Sequence, residues 1–210
     1  MKIKKIDVMA ADLPLARPIK MSGVEIATSE NVFARIETDG GHVGWGEASA
    51  APTMTGETVE SMVAAVEYLA PFMDGRDPEA FEENLEEMNW RMYGNASAKT
   101  IMEMALYDIA GKAQQKSIAE MLGTVRRTEI PVLYMLATGN IEVDVAEATE
   151  RGQAGVTHMK IKVGGKPVEL DIERTIAIRK AVNGGVQLSA DCNQGWTHKE
   201  ALAYVAAASE

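Results

Sequence analysis

Lys160 and Lys162 stand one residue apart in THMKIKVG (157–164), and Asp191 and Asn193 stand one residue apart in VQLSADCN (186–193). Side chains on a strand alternate between faces, so in the first segment two ammonium groups share one face while Met159, Ile161 and Val163 share the other. In the second segment Ser189, Asp191 and Asn193 share one face, Ala190 and Cys192 the opposite one. Were the two segments neighbouring parallel strands, about 4.8 Å apart, two amines and a carboxylate would converge at the strand C-terminal ends, where βα folds gather their active sites. Asp191 offers hard anionic oxygen suited to magnesium or manganese. A divalent ion there would depress the lysine pKa values and leave a neutral amine able to take a proton at ordinary pH. It would also stabilise negative charge building on a bound carboxylate. The combination suits removal of a proton next to a carboxylate. Taken singly, each feature has a structural reading: paired strand lysines protect an exposed sheet edge, and Asp-x-Asn after a strand caps a turn.

The surrounding pattern is one that could hold such strands side by side. Residues 1 to about 50 are strand-like, in Lys2–Val8, NVFARIETDGG and HVGWGEAS, with Asp39-Gly40-Gly41 as a hairpin turn. Helical patterns follow over 57–73, 77–93 (with Asp77-Pro78 as N-cap and first residue) and 97–123, where Ile101, Ala105, Leu106, Ile109 and Ala113 form one stripe and Gly123 ends the helix. After Ile130 strand and helix alternate: IPVLYMLA, IEVDVAEATERGQ, THMKIKV, PVELDIERTIAIRKAVNG, VQLSADCN and THKEALAYVAAASE. Repeated βα units imply parallel strands in either a doubly wound sheet or a barrel.

Composition excludes several classes. The 210 residues are 46% hydrophobic and 25% charged, an ordinary globular profile. No apolar run approaches the roughly 20 residues that span a bilayer, and the first residues lack a signal-peptide pattern, so a cytoplasmic location is expected. Cys192 is the only cysteine, which rules out an intramolecular disulfide and disfavours a thiolate zinc site. A net charge of −10 disfavours nucleic acid and anionic membrane as partners. His42, His158 and His198 show no ligand spacing, Glu47 reads as a hairpin residue, and the thirteen methionines read as core filler.

Taken in order, GWGEASAAPTMTGET, AKTIMEMALYDIAGK, Lys160-x-Lys162 and Asp191-x-Asn193-Gln194-Gly195-Trp196 resemble the enolase superfamily, and the paired lysines resemble its muconate lactonizing subgroup within the mandelate racemase/muconate lactonizing enzyme family. The resemblance implies an α/β fold in which an α+β capping domain (1–129) precedes the first three βα units of a TIM-type barrel (130–210). It implies Lys162 as general acid/base, Lys160 as its tuning partner near the substrate carboxylate, Asp191 as the first of three carboxylate ligands to Mg2+ (or Mn2+), and Asn193 in support. It further implies that two capping loops, Leu15–Val24 and Ser49–Glu57 with Met21, Met54 and Thr55, shape the choice of a small carboxylate substrate, and that the full-length enzyme is a homo-oligomer. The implied reaction is a cycloisomerisation or racemisation through an enolate; dipeptide epimerase, N-acylamino acid racemase and o-succinylbenzoate synthase activities suit the same residues, and a non-catalytic βα scaffold is the alternative outside enzymes. A closed eight-stranded barrel takes about 250 residues, so the stretch from Ile130 onward is expected to be the start of a longer barrel, inactive by itself.

Overall fold

The computed structural model describes residues 1–21, 24–182 and 184–208. The chain forms two compact units, one of Met1–Leu15 with Thr28–Arg126, the other of Ala16–Ala27 with Arg127–Glu210.

The first unit is built on an antiparallel sheet covered by helices, the strand residues within Ala16–Ala27 counting with the second unit. Its strands are β1 (Ile3–Met21), β2 (Val24–Thr38) and β3 (Val43–Ser49), in the order β1-β2-β3. β2 and β3 pair antiparallel, with Ala34 opposite Gly46 and Glu37 opposite Val43. Gly41, at φ 81°, closes the turn between them and donates its N–H to the Thr38 carbonyl. The helices are α1 (Val59–Met73), α2 (Phe81–Arg91), α3 (Ala96–Gln114) and a short α4 (Ile118–Met121). Val32, Ala34 and Ile36 on β2 pack with Met62, Leu69, Ile101, Met102, Leu106 and Ile109 in one buried cluster, each large side chain contributing about 1.5–3 kcal/mol by leaving water.

Two glycines of the GWG stretch let α3 lie directly on β3. A Cβ on Gly46 would come within 1.7 Å of the Ile101 carbonyl oxygen, and one on Gly44 within 2.1 Å of that of Ala105. Between them Trp45 points outward and donates its backbone N–H to Asp108 of α3, 2.9 Å away.

The strand expected over IPVLYMLA is shorter, Tyr134–Leu136, and three boundaries nearer the N-terminus differ most from the sequence expectation. β1 runs to Met21 rather than ending near Val8, so most of the segment expected as a loop over Leu15–Val24 is strand. Pro14 and Pro18 obscured it, yet proline is tolerated on an edge strand such as β1, where an N–H is not required. The helix expected over 97–123 stops at Gln114: Gln115 adopts a left-handed backbone (φ 55°), and Ser117 with Glu120 forms a capping box that starts α4 afresh. α2 begins at Phe81, not at Asp77; Asp77 instead makes a turn, its side chain accepting from the Glu79 N–H and its carbonyl from the Ala80 N–H.

The second unit contains β4 (Tyr134–Leu136), α5 (Ile141–Gln153), β5 (His158–Lys162), α6 (Val168–Ala181), β6 (Gln187–Asp191) and α7 (His198–Ala208). The strands are parallel in the order β4-β5-β6. Leu136, Met159, Ile161, Val163 and Ile178 are at its core, so β5 buries the face opposite its lysines.

The glycine contacts generate a prediction. Gly46→Ala should lower the stability of the first unit by about 3 kcal/mol, the upper end for overpacking, read as a shift of the urea midpoint. Gly184→Ala, with nothing within 4 Å of the added Cβ, should stay within about 0.5 kcal/mol.

Candidate active site

The β5–β6 register brings the chemical residues together. Lys160 lies opposite Ser189 and Lys162 opposite Asp191. The Lys162 ammonium donates to Asp191 Oδ2 at 2.9 Å and to Asn193 Oδ1 at 2.5 Å. Lys160 donates to the same Asp191 oxygen at 3.3 Å. Asp191 Oδ1 accepts the backbone N–H of Asn193 at 3.1 Å, so the Asp-x-Asn segment folds back on its own carboxylate as an Asx turn.

Asn193 reaches Lys162 by a route that strand alternation does not describe. β6 ends at Asp191, and Asn193 and Gln194 both adopt left-handed backbone, at φ 41° and 65°. Asparagine tolerates that region better than most residues. The Gly195 N–H then donates to the Cys192 carbonyl at 2.7 Å, and Trp196 follows, its ring 4.6 Å from that of Tyr204 on α7. The Trp196 Nε1–H has no hydrogen-bond partner among the described residues.

Burial and charge set the character of the site. The side chains of Lys162, Asp191 and Lys160 are 14%, 29% and 32% exposed, at the edge of solvent rather than in the core. The hydrogen bond from Lys162 holds the Asp191 carboxyl down at about 2, helped by the Asn193 N–H and by Lys160 and opposed by partial burial. The carboxylate is therefore an anion throughout the neutral range, facing two amines.

A ring of buried ions underlies these groups, and the sequence reading missed it. Asp144 on α5 and Arg174 on α6 are 0% and 3% exposed and face each other at 3.3 Å, an ion pair without hydrogen-bond angles. Asp144 Oδ1 accepts from the Thr138 hydroxyl at 2.7 Å and from its N–H at 3.3 Å. Arg174 also pairs with Asp171 Oδ1 at 3.8 Å and donates to the backbone carbonyl of Lys162. Asp171 Oδ2 accepts the Gly164 N–H at 2.8 Å; burial pushes its carboxyl up, against that hydrogen bond and the Arg174 and Lys166 charges. In a helical run such as DIERTIAIRK, alternating charges read as a solvated face, and only the observed absence of solvent shows otherwise.

Of the other expected site residues, Met21 falls in the second unit and Met54 and Thr55 in the first. Met54 and Thr55 lie in the segment between β3 and α1; the Thr55 hydroxyl donates to the Ala51 carbonyl and accepts the Glu57 N–H. Met21 ends β1, and its side chain lies outside the described residues. Glu57, expected only as the end of a capping loop, is buried and accepts from the N–H and hydroxyl of Ser97 at the start of α3.

For a divalent ion, Asp191 fits as one hard oxygen ligand. Among the described residues no group of three or more His, Cys, Asp or Glu side chains could hold a metal, so the rest of a coordination shell would be water, substrate or groups beyond those described. Also among them, no helix is long and apolar enough to cross a membrane.

The chain matches the N-terminal domain of the mandelate racemase / muconate lactonizing enzymes over residues 4–123. It belongs to that family. Residues 144–210 match the enolase C-terminal domain-like family. The L-Ala-D/L-Glu epimerase of Bacillus subtilis is 36% identical over 203 residues, 96% of this chain and 55% of the epimerase. A chloromuconate cycloisomerase of Delftia acidovorans is 32% identical over 209 residues, 98% of this chain and 56% of the relative. The dipeptide epimerase of Enterococcus faecalis V583, solved with Mg and the dipeptide L-Leu-L-Tyr, superposes with a TM-score of 0.92 at 30% identity, covering 100% of this chain and 58% of that one. The chain thus spans little more than half the length of these relatives.

The Asp191 shift has a definite sign. Its carboxyl is depressed from 3.8 to about 2 on folding, so the stabilisation is present above pH 4 and lost as pH falls through 2. In metal-free buffer, Asp191→Asn should cost the second unit up to about 2 kcal/mol at pH 7, a difference that closes between pH 4 and 2 in chemical denaturation curves.

Proposed function

We propose that the whole protein is an isomerase that removes a proton from the carbon next to a small substrate's carboxylate, with Lys162 as the base and a divalent metal ion, Mg2+ or Mn2+, bound in part by Asp191. The observation that carries this reading is the Lys162 ammonium held between Asp191 and Asn193 at the C-terminal end of β5.

Each residue has a part in the chemistry. Lys162 as neutral amine takes the α-proton; the C–H bond breaks, its electron pair moves toward the carboxylate, and an enolate forms. Return of a proton from the Lys162 ammonium to the same carbon completes the exchange; an epimerisation instead takes its proton on the opposite face from a second acid, outside the residues described. The metal, when bound, supplies positive charge against the carboxylate oxygens where negative charge grows. Asn193 orients the Lys162 amine by accepting a hydrogen bond from it. Lys160 places a second cation beside the substrate carboxylate and keeps Asp191 charged. Met21, Met54 and Thr55 would act on substrate choice.

Family membership supports the enolate chemistry, and the relatives' names support two versions of it. The paired lysines favour muconate-type cycloisomerisation; the identity to the B. subtilis epimerase favours a dipeptide. Both place the reacting carbon next to a carboxylate, so one assay serves.

In the whole protein with Mg2+, L-Ala-L-Glu and a chloromuconolactone are incubated in D2O and deuterium at the α-carbon is followed by NMR. Lys162→Ala should lower incorporation by about 10²–10⁴-fold, the usual share of a general base, and EDTA should abolish it. Undiminished incorporation in the variant would reject Lys162 as the base.

A further inference from the structure

We propose that Arg174 is a positioning residue for Lys162, acting through the backbone at the end of β5; this rests on the role given to Lys162 above. β4 stops at Leu136, opposite Ile161, so no β4 residue lies across from Lys162. Its carbonyl is taken instead by the Arg174 guanidinium. Two residues on, the Gly164 N–H is held by Asp171, which is itself paired with Arg174. On the other side the Val163 N–H donates to the Asp191 carbonyl at 3.1 Å. The backbone on either side of Val163 is therefore pinned from α6 and from β6 together.

The pinning closes back on the lysine's side chain. Gly164, at φ 86°, lies so close to Cys192 that a Cβ there would come within 2.7 Å of the Cys192 carbonyl oxygen. That same carbonyl accepts the Gly195 N–H and so shapes the turn that presents Asn193 to Lys162. A single guanidinium thus fixes the lysine's main chain directly and, through Asp171 and Gly164, abuts the loop that carries the acceptor for its amine.

Stability alone is a weak reason for this arrangement. Arg174 sits between Asp144 and Asp171 with all three buried, and buried ion clusters are often matched or exceeded in stability by apolar residues of the same volume. What an apolar side chain cannot do is hold a carbonyl at a set place. Displacement of a reacting group by about 1 Å is enough to cost on the order of a hundredfold in rate.

Arg179 provides an internal control. It lies on the same helix and donates to a backbone carbonyl, that of Val186 at 2.7 Å, before the start of β6 and away from the lysines. Arg174→Lys keeps the charge but not the fork that reaches three partners.

The test uses the whole protein with Mg2+ and the same two probe substrates. Arg174→Lys should lower kcat for α-proton exchange about 10- to 100-fold with KM within twofold, and should speed hydrogen exchange of the Gly164 amide at least tenfold in the absence of substrate. Arg179→Lys should lower the melting temperature while kcat per folded molecule stays at the wild-type value. Equal kcat in Arg174→Lys and wild type, or losses in both variants that follow the folded fraction, would overturn the proposal. Should Arg174→Lys not fold, Asp171→Asn decides: it loosens Arg174 while leaving an oxygen for Gly164, so a fall in kcat at unchanged KM supports positioning and an unchanged kcat refutes it. Exchange by wild type that Lys162→Ala leaves intact would instead sink the general-base assignment, whatever Arg174 does.

Discussion

The second unit depends on one register, that which sets Lys162 opposite Asp191 across two parallel strands. A slip of one residue would turn every side chain of β5 to the other face, sending two ammonium groups into the core and Met159 and Ile161 out of it. Burial of those apolar residues, with Leu136 and Val163, therefore does more than stabilise: it is what aims the lysines at the carboxylate. The electrostatic cluster is then a consequence of a hydrophobic choice. Its own contribution is bounded at about 2 kcal/mol by the depression of the Asp191 carboxyl, since the groups stay partly in water.

Local periodicity carried much of this into view. Alternation in MKIKV identified the buried face of β5 correctly, and the bounds expected for α5 coincide with those observed, because both elements are amphipathic or buried in a simple way. Lys160, Lys162 and Asp191 followed from alternation and adjacency. Asn193 was found for an incomplete reason: it faces Lys162 through a left-handed turn rather than by continuing the strand. Arg174, Asp144 and Asp171 escaped notice because a charged residue in a helix reads as solvent-facing, and the partners that make burial tolerable come from three separate segments. The full length of β1 escaped for the opposite reason, its prolines arguing against strand when only an interior strand forbids them.

In the first unit the comparable constraint is spatial. α3 approaches β3 more closely than any side chain permits at positions 44 and 46, and the alternation Gly-Trp-Gly meets it by placing both missing side chains on the covered face and a large one on the exposed face. Glu57 adds an anchor, its carboxylate accepting the N–H of Ser97 in the first turn of α3, where a negative charge also suits the helix dipole. The segment carrying Met54 and Thr55 is thereby tied at its far end to a helix that is itself fixed against the sheet.

The stacking of Trp196 on Tyr204 gives the second unit an optical label of its own. Of the chain's three tryptophans, Trp45 and Trp90 belong to the first unit and are 44% and 84% exposed, whereas Trp196 is partly buried five residues beyond the site carboxylate. Blue-side emission therefore belongs to the indole beside the turn that shapes the site, and quencher-resolved fluorescence separates it from the two water-facing indoles. A change at the mouth of β6 is visible in the native colour of the protein without any added dye.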